Sequence, residues 1–73
     1  MNLLNITGRE LVCIKSYEQP HEDLIVLKDE VAICVNINIG VKLEIIRAGR
    51  NKTITINHVL SVDLLQECWA VVP

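Results

Sequence analysis

VAICVNINIGVKLEI, residues 31–45, decides the fold. Its odd positions are Val31, Ile33, Val35, Ile37, Ile39, Val41, Leu43 and Ile45, all aliphatic. Its even positions are Ala32, Cys34, Asn36, Asn38, Gly40, Lys42 and Glu44, all small or polar. A period of two is the repeat of an extended strand with one buried face. The reading places the odd set in the core. Fifteen residues exceed the usual length of a strand. A bend or bulge is therefore expected near Asn38 to Gly40, where Gly40 weakens a straight strand. The alternative is a three-residue hairpin loop over Asn36-Ile37-Asn38, which keeps the parity.

The flanking segments extend the pattern. Leu11-Val12-Cys13-Ile14 reads as a short strand covered on both faces. Lys15 to Asp23, with Pro20, reads as a loop or wide hairpin end. Leu24-Ile25-Val26-Leu27 reads as a further strand. A loop over Leu27 to Glu30 would set Val26 opposite Val31 and Leu24 opposite Ile33. Gly49 and Asn51 mark another turn. With Ala48 to Asn51 as the loop, Ile45 opposes Ile54, Leu43 opposes Ile56, and Arg47 faces Lys52. The end is ambiguous between continued alternation through Leu60, Val62 and Leu64 and a helix. Val59, Val62, Leu65 and Trp69 share a helical face, with Ser61 as N-cap. Thr7-Gly8 reads as a turn, Leu3, Leu4 and Ile6 as docking residues, and Ala70 to Pro73 as an apolar tail suited to a neighbour. The fold class is all-β: one domain, residues 1–73, built as a small five-stranded, strongly bent antiparallel sheet or barrel. A short C-terminal helix is the alternative at its end.

The chain has 73 residues, 51% of them hydrophobic, with one Tyr, one Trp and no Phe. So much aliphatic surface in so small a domain favours burial against another copy, hence a homo-oligomer. The formal charge of −2 argues against broad affinity for nucleic acid, though not against a local basic patch. Cys13, Cys34 and Cys68 form no CxxC pair and read as reduced core thiols, which points to the cytoplasm. No signal peptide or membrane span is legible. Asn5-Ile6-Thr7 and Asn51-Lys52-Thr53 match a glycosylation pattern that lacks a secretory context.

No catalytic set can be assembled from sequence, and no enzyme, metal site or cofactor is expected. His21 reads as part of a solvated acidic loop with Glu22 and Asp23. Asp29 and Glu30 read as another acidic loop end. His58 occupies an inward position. The most distinctive functional feature is basic: Lys42, Arg47, Arg50 and Lys52 fall within eleven residues. Like charges opposed across a hairpin repel, and a phosphate would relieve them. Tyr17 is the one residue placed to stack a base.

Several segments carry a family resemblance. They are Leu11-Val12-Cys13-Ile14-Lys15, Glu22-Asp23-Leu24-Ile25-Val26, Asp29-Glu30-Val31-Ala32-Ile33-Cys34-Val35, Gly40-Val41-Lys42-Leu43-Glu44-Ile45 and Thr53-Ile54-Thr55-Ile56-Asn57. In order and character they resemble the carbon storage regulator family of small RNA-binding proteins. The resemblance implies five strands, a C-terminal helix, a strand-exchanged dimer, and repression of translation by gripping GGA-containing RNA loops with the first and last strands. Ser16 follows Lys15 where that family has a second basic residue, and Asn57-His58 stand where it has an Arg. A second likeness, through Lys52 to Val62, is to Sm-like barrels. The sequence thus favours a non-catalytic, RNA-binding regulator of translation. In it Lys15, Lys42, Arg47, Arg50 and Lys52 would meet phosphates, and His58 or Tyr17 a base. The alternative is a protein-interaction or assembly module working through edge strands or an apolar oligomer surface.

Overall fold

The structure is a computed structural model that describes residues 6–73. Among the described residues, seven strands and one α-helix follow in order: β1 Glu10–Cys13, β2 Tyr17–Gln19, β3 Leu24–Val26, β4 Val31–Ile37, β5 Val41–Gly49, β6 Lys52–Leu60, α1 Val62–Cys68 and β7 Trp69–Val71. A 3-10 turn, Pro20–Glu22, joins β2 to β3. The main sheet is five-stranded and antiparallel, in the order β6-β5-β4-β1-β7, with β2 and β3 forming a small second sheet. The expected all-β class, five-stranded sheet and short helix are all present.

The 31–45 stretch is two strands, not one bent strand. Ile37 pairs with Val41, so the chain reverses over Asn38-Ile39-Gly40. The register shifts between Cys34 and Asn36, a bulge at Val35. One extra residue flips every side chain beyond it. Below the bulge, the even residues Ala32 and Cys34 are fully buried. Later in the chain, on β5, the odd set Val41, Leu43 and Ile45 is fully buried, with Leu43 opposite Cys34 and Ile45 opposite Ala32. Val31 and Ile33 therefore lie on the opposite face, a correction to the single-parity reading. Before the bulge the central strand brings only the small Ala32 and Cys34 to a core that also holds Leu11, Leu65 and Trp69, and Ile37 packs against it beyond the bulge. Dense packing has no room for bulky groups from every strand.

The β5–β6 hairpin also differs in register. Ile45 pairs with Ile56, Leu43 with His58, and the turn is Arg50-Asn51 between Gly49 and Lys52. The shift from the expected pairing is two residues, so each side chain keeps its face. Asn51 takes a left-handed conformation (φ 63°). A Cβ at Gly49 would sit 2.7 Å from Ile54 Cδ1, the movable end of a partly exposed side chain, and 3.1 Å from Lys52 O, so a larger residue there would have to displace Ile54.

The expected β3–β4 hairpin is absent. β3 pairs with β2, and β4 pairs with β1, with Leu11 opposite Ala32. The 27–30 turn instead docks on β1 through Cys13 N–H to Glu30 O and Asp29 N–H to Cys13 O, both 2.8 Å. Lys15 to Asp23, read as a loop, carries β2 and the 3-10 turn. β1 is covered on one face only: Leu11 and Cys13 are buried and Ile14 is exposed. The 70–73 tail is not free, since β7 pairs with β1 in the same chain. Strand β1 thus has a neighbour from its own chain on each side. Ser61 caps α1 by accepting from Leu64 N–H at 3.1 Å. Gly8 supplies the positive φ (82°) of the Thr7-Gly8 turn, and Ile6 is buried. The expected docking of Leu3 and Leu4 lies outside the described residues. Cys13, Cys34 and Cys68 are buried free thiols. Among the described residues, no helix is long and apolar enough to cross a membrane.

Candidate functional site

Two places gather polar chemistry, and a third gathers exposed apolar surface. The first closes the sheet. The edge strands β6 and β7 are not hydrogen-bonded to each other. Side chains bridge them instead. Pro20 starts the 3-10 turn, and Asp23 ends it in the left-handed region with its N–H on Pro20 O. That turn brings the Glu22 carboxylate to His58 Nδ1 at 2.5 Å. Tyr17, on β2, contacts His58 Nε2 at 2.7 Å. Trp69 Nε1–H, on β7, donates to the Tyr17 oxygen at 2.8 Å.

With His58 neutral and its hydrogen on Nδ1, one direction satisfies every group of this chain. Indole N–H only donates, so Tyr17 accepts from Trp69, and in this tautomer it gives its own proton to Nε2. His58 then carries hydrogen on Nδ1 and donates it to Glu22. The order carboxylate, imidazole, hydroxyl is that of a nucleophile relay. Its setting argues against such use. His58 is fully buried. Burial pushes the Tyr17 hydroxyl well above the ordinary tyrosine range, despite the opposing bond from Trp69. The phenol keeps its proton and engages both a lone pair and its hydrogen inside the molecule, which ties β2 to β6 and β7. Sequence reading marked His58 as inward but missed its partners, which lie 36 and 41 residues away. Only the fold brings them together.

The second place is an ion pair. Arg47 Nε and Nη2 meet the two Glu30 oxygens at 2.5 and 2.9 Å, and Nη2 also donates to Ile25 O at 2.7 Å. Burial pushes the Glu30 carboxyl up. The bonds from Arg47 and Leu27 N–H, with the Arg47 charge, outweigh it and hold the group below the usual glutamate range. Glu30, read as a plain acidic loop end, is thus the partner of a predicted phosphate-binding residue.

The predicted basic residues do not form one cluster. Arg47 lies opposite Ile54 and Lys52 opposite Gly49, so the expected Arg47–Lys52 confrontation is not formed. Lys15 pairs with Glu67 at 2.6 Å. Lys42 lies opposite Val59, seven residues along β5 from the tip, about 23 Å at strand rise. Arg50 and Lys52 are exposed at the tip. Tyr17 and His58, expected to meet a base, are held in the internal chain. His21 is exposed. Among the described residues, no group of three or more His, Cys, Asp or Glu is placed to hold a metal.

The third place is apolar. On the face away from the core, Ala70, Val12, Val31 and Ile46 pair in turn across four strands and end at Thr55 on β6. Ile46 also lines a groove with Ile25, Leu27, Ala48 and the Arg47–Glu30 pair. Ile25, Leu27 and Ile46 are 59%, 57% and 37% exposed, so this surface is open to solvent. The chain matches no family model, and no characterised protein or solved structure is similar enough to serve as a relative.

Proposed function

We propose that this protein is a non-catalytic assembly module that binds a protein partner through the groove beside Ile46 and the apolar row that leads into it. The carrying observation is the groove itself: Ile25, Leu27, Ile46 and Ala48 stand open around a fixed Arg47–Glu30 pair. Contiguous exposed apolar side chains mark interaction surfaces more often than single ones do. A pre-positioned Arg among them is the composition of a binding hot spot. Ile39, 99% exposed and outside the groove lining, is the internal control.

The test is a photo-crosslinking residue placed at Leu27 or at Ile39 in cells. A discrete adduct from position 27, lost on adding Ile46→Glu, is expected. Equal labelling from the two positions would sink the reading.

RNA binding is the second reading, supported by the exposed Lys42, Arg50 and Lys52. It predicts that Arg50→Ala with Lys52→Ala weakens RNA binding and flattens its salt dependence in an anisotropy titration. The engagement of Arg47 by Glu30 and of Lys15 by Glu67 makes it the weaker of the two.

A further inference from the structure

We infer that the interaction surface is completed by a second copy of this chain, joined antiparallel through the free edge of β6 with Thr55 on the two-fold axis. The inference rests on the assembly reading and names one of its partners.

Alternate residues of an edge strand turn their N–H and C=O away from the sheet. In β6 the outward set includes Val59, whose N–H reaches Glu22 Oε2 at 3.2 Å and whose C=O accepts from Gln19 Nε2 at 3.4 Å. Thr53, Thr55 and Asn57 belong to the same set. Among the described residues their outward groups have no partner. All three side chains are exposed. The β5–β6 register runs unbroken over nine pairs, so no bulge twists this edge away. It carries no proline, and between Lys52 and His58 no charge. Between Lys52 at one end and the arm over Val59 at the other, residues 53–57 carry none of the usual guards against edge pairing.

The ends of the strand choose the register. Val59 is occupied by the β2–β3 arm, and Asn51 lies in the turn. The pairing that uses every free outward group sets Thr55 against the partner's Thr55 and Thr53 against the partner's Asn57. It forms about six backbone bonds, two for each narrow pair. Ile54 would then stand opposite the partner's Ile56 on the other face. Ile54 is 41% exposed and would gain cover. Isologous pairing of this kind needs a self-complementary patch, and a neutral Thr-Ile-Thr-Ile-Asn strip supplies one. Lys52 would arrive opposite the partner's His58, close to the Glu22 carboxylate that caps that end, so opposite charges meet there.

The same register joins the two apolar rows. Each row ends at Thr55, so pairing at Thr55 makes one band across ten strands. The module would then present its groove twice, on opposite sides of the axis.

Sedimentation and cysteine cross-linking test this. The wild-type chain is expected to sediment as a dimer. Thr55→Lys sets two ammonium groups face to face and should raise the dissociation constant by roughly tenfold or more. Thr55→Cys should cross-link on oxidation, because a narrow pair holds Cα atoms about 5.5 Å apart, within disulfide reach. Thr53→Cys alone should not cross-link, whereas a mixture of Thr53→Cys and Asn57→Cys chains should. A monomeric wild type, a dimer indifferent to Thr55→Lys, or equal cross-linking at 53 and 55 would overturn the inference. If the wild type is monomeric while position 27 still captures a partner in cells, self-pairing falls and the assembly reading stands. If neither occurs, both fall.

Discussion

The β5–β6 hairpin and the β2–β3 arm are both antiparallel pairs, yet different forces hold them. β5 and β6 share nine consecutive paired positions across a two-residue turn. Their inner face brings Val41, Leu43, Ile45 and Leu60 into the core. β2 and β3 share three positions. The arm is fastened by the Glu22–His58–Tyr17–Trp69 chain, the Arg47 bond to Ile25 O, and the Ser16 hydroxyl, which accepts from Lys28 N–H. It also buries Leu24 and Val26. One element is a local ladder over a dry face. The other is a flap held by long-range polar contacts, and it should open at lower free energy than the whole molecule unfolds.

The largest effect that separates them is a cavity under the ladder. Leu43 is fully buried opposite His58 and Cys34. Leu43→Ala should cost about 2–5 kcal/mol. A 73-residue domain has only about 4–11 kcal/mol in total. Urea unfolding should show a sharp fall in midpoint, with ladder and arm lost together. Survival of the ladder with only local loosening would deny it the role of nucleus of the core.

Next comes Tyr17→Phe, which keeps the ring and removes the hydroxyl. Trp69 Nε1–H and the His58 Nε2 lone pair then lose their partner in a buried place. Leaving two such groups unpaired should cost about 2–4 kcal/mol. The loss should be local. Amide exchange should quicken in β2, β3 and the 3-10 turn before it quickens in β5. Uniform acceleration would show that the arm and the ladder are one cooperative unit.

How much of this contrast was legible beforehand follows from the same physics. The ladder is written locally: alternation in 41–49 and 52–60 and a Gly49/Asn51 turn. A two-residue error in register left every face right, because strand parity is indifferent to even shifts. The parity of β4 was lost to one bulged residue, which no composition signal marks. Odd aliphatics at 31 and 33 looked inward, while the core took Ala32 and Cys34. The arm was opaque because its partners are set by tertiary folding. Glu22 and Tyr17 meet on His58, and Trp69 reaches Tyr17 only after β7 returns to β1. The basic tip was read correctly as basic and wrongly as opposed charges. Glu30, 17 residues from Arg47 in sequence, had already neutralised one member.

The Arg47–Glu30 pair straddles the two regions and sharpens the comparison through pH. The Glu30 carboxyl is held below its ordinary range in the folded state. A depressed carboxyl stabilises the fold above its unfolded value, about 4.3, and that contribution is lost as pH falls through the folded value. Wild-type stability should therefore drop below about pH 4.5, with Glu30 contributing to the slope. Arg47→Met should lower neutral-pH stability by about 1 kcal/mol and flatten that acid limb. An unchanged acid limb in Arg47→Met would mean that other carboxylates carry the pH dependence.

The smallest expected effect is at Lys15, which leaves β1 towards the arm and pairs with Glu67 on α1. Its 2.6 Å contact is nearly as short as the shortest in Arg47–Glu30. Distance alone would rank the two pairs together. Exposure separates them: the Lys15 and Glu67 side chains are 62% and 57% exposed, against 33% and 16% for Arg47 and Glu30. Water and salt screen a pair of the first kind and leave it little net stability. Lys15→Ala should leave the thermal midpoint unchanged within error at moderate salt, while Arg47→Met lowers it. Equal losses from the two variants would show that Lys15 straps α1 to the end of β1, and the ladder would then owe part of its stability to a surface charge.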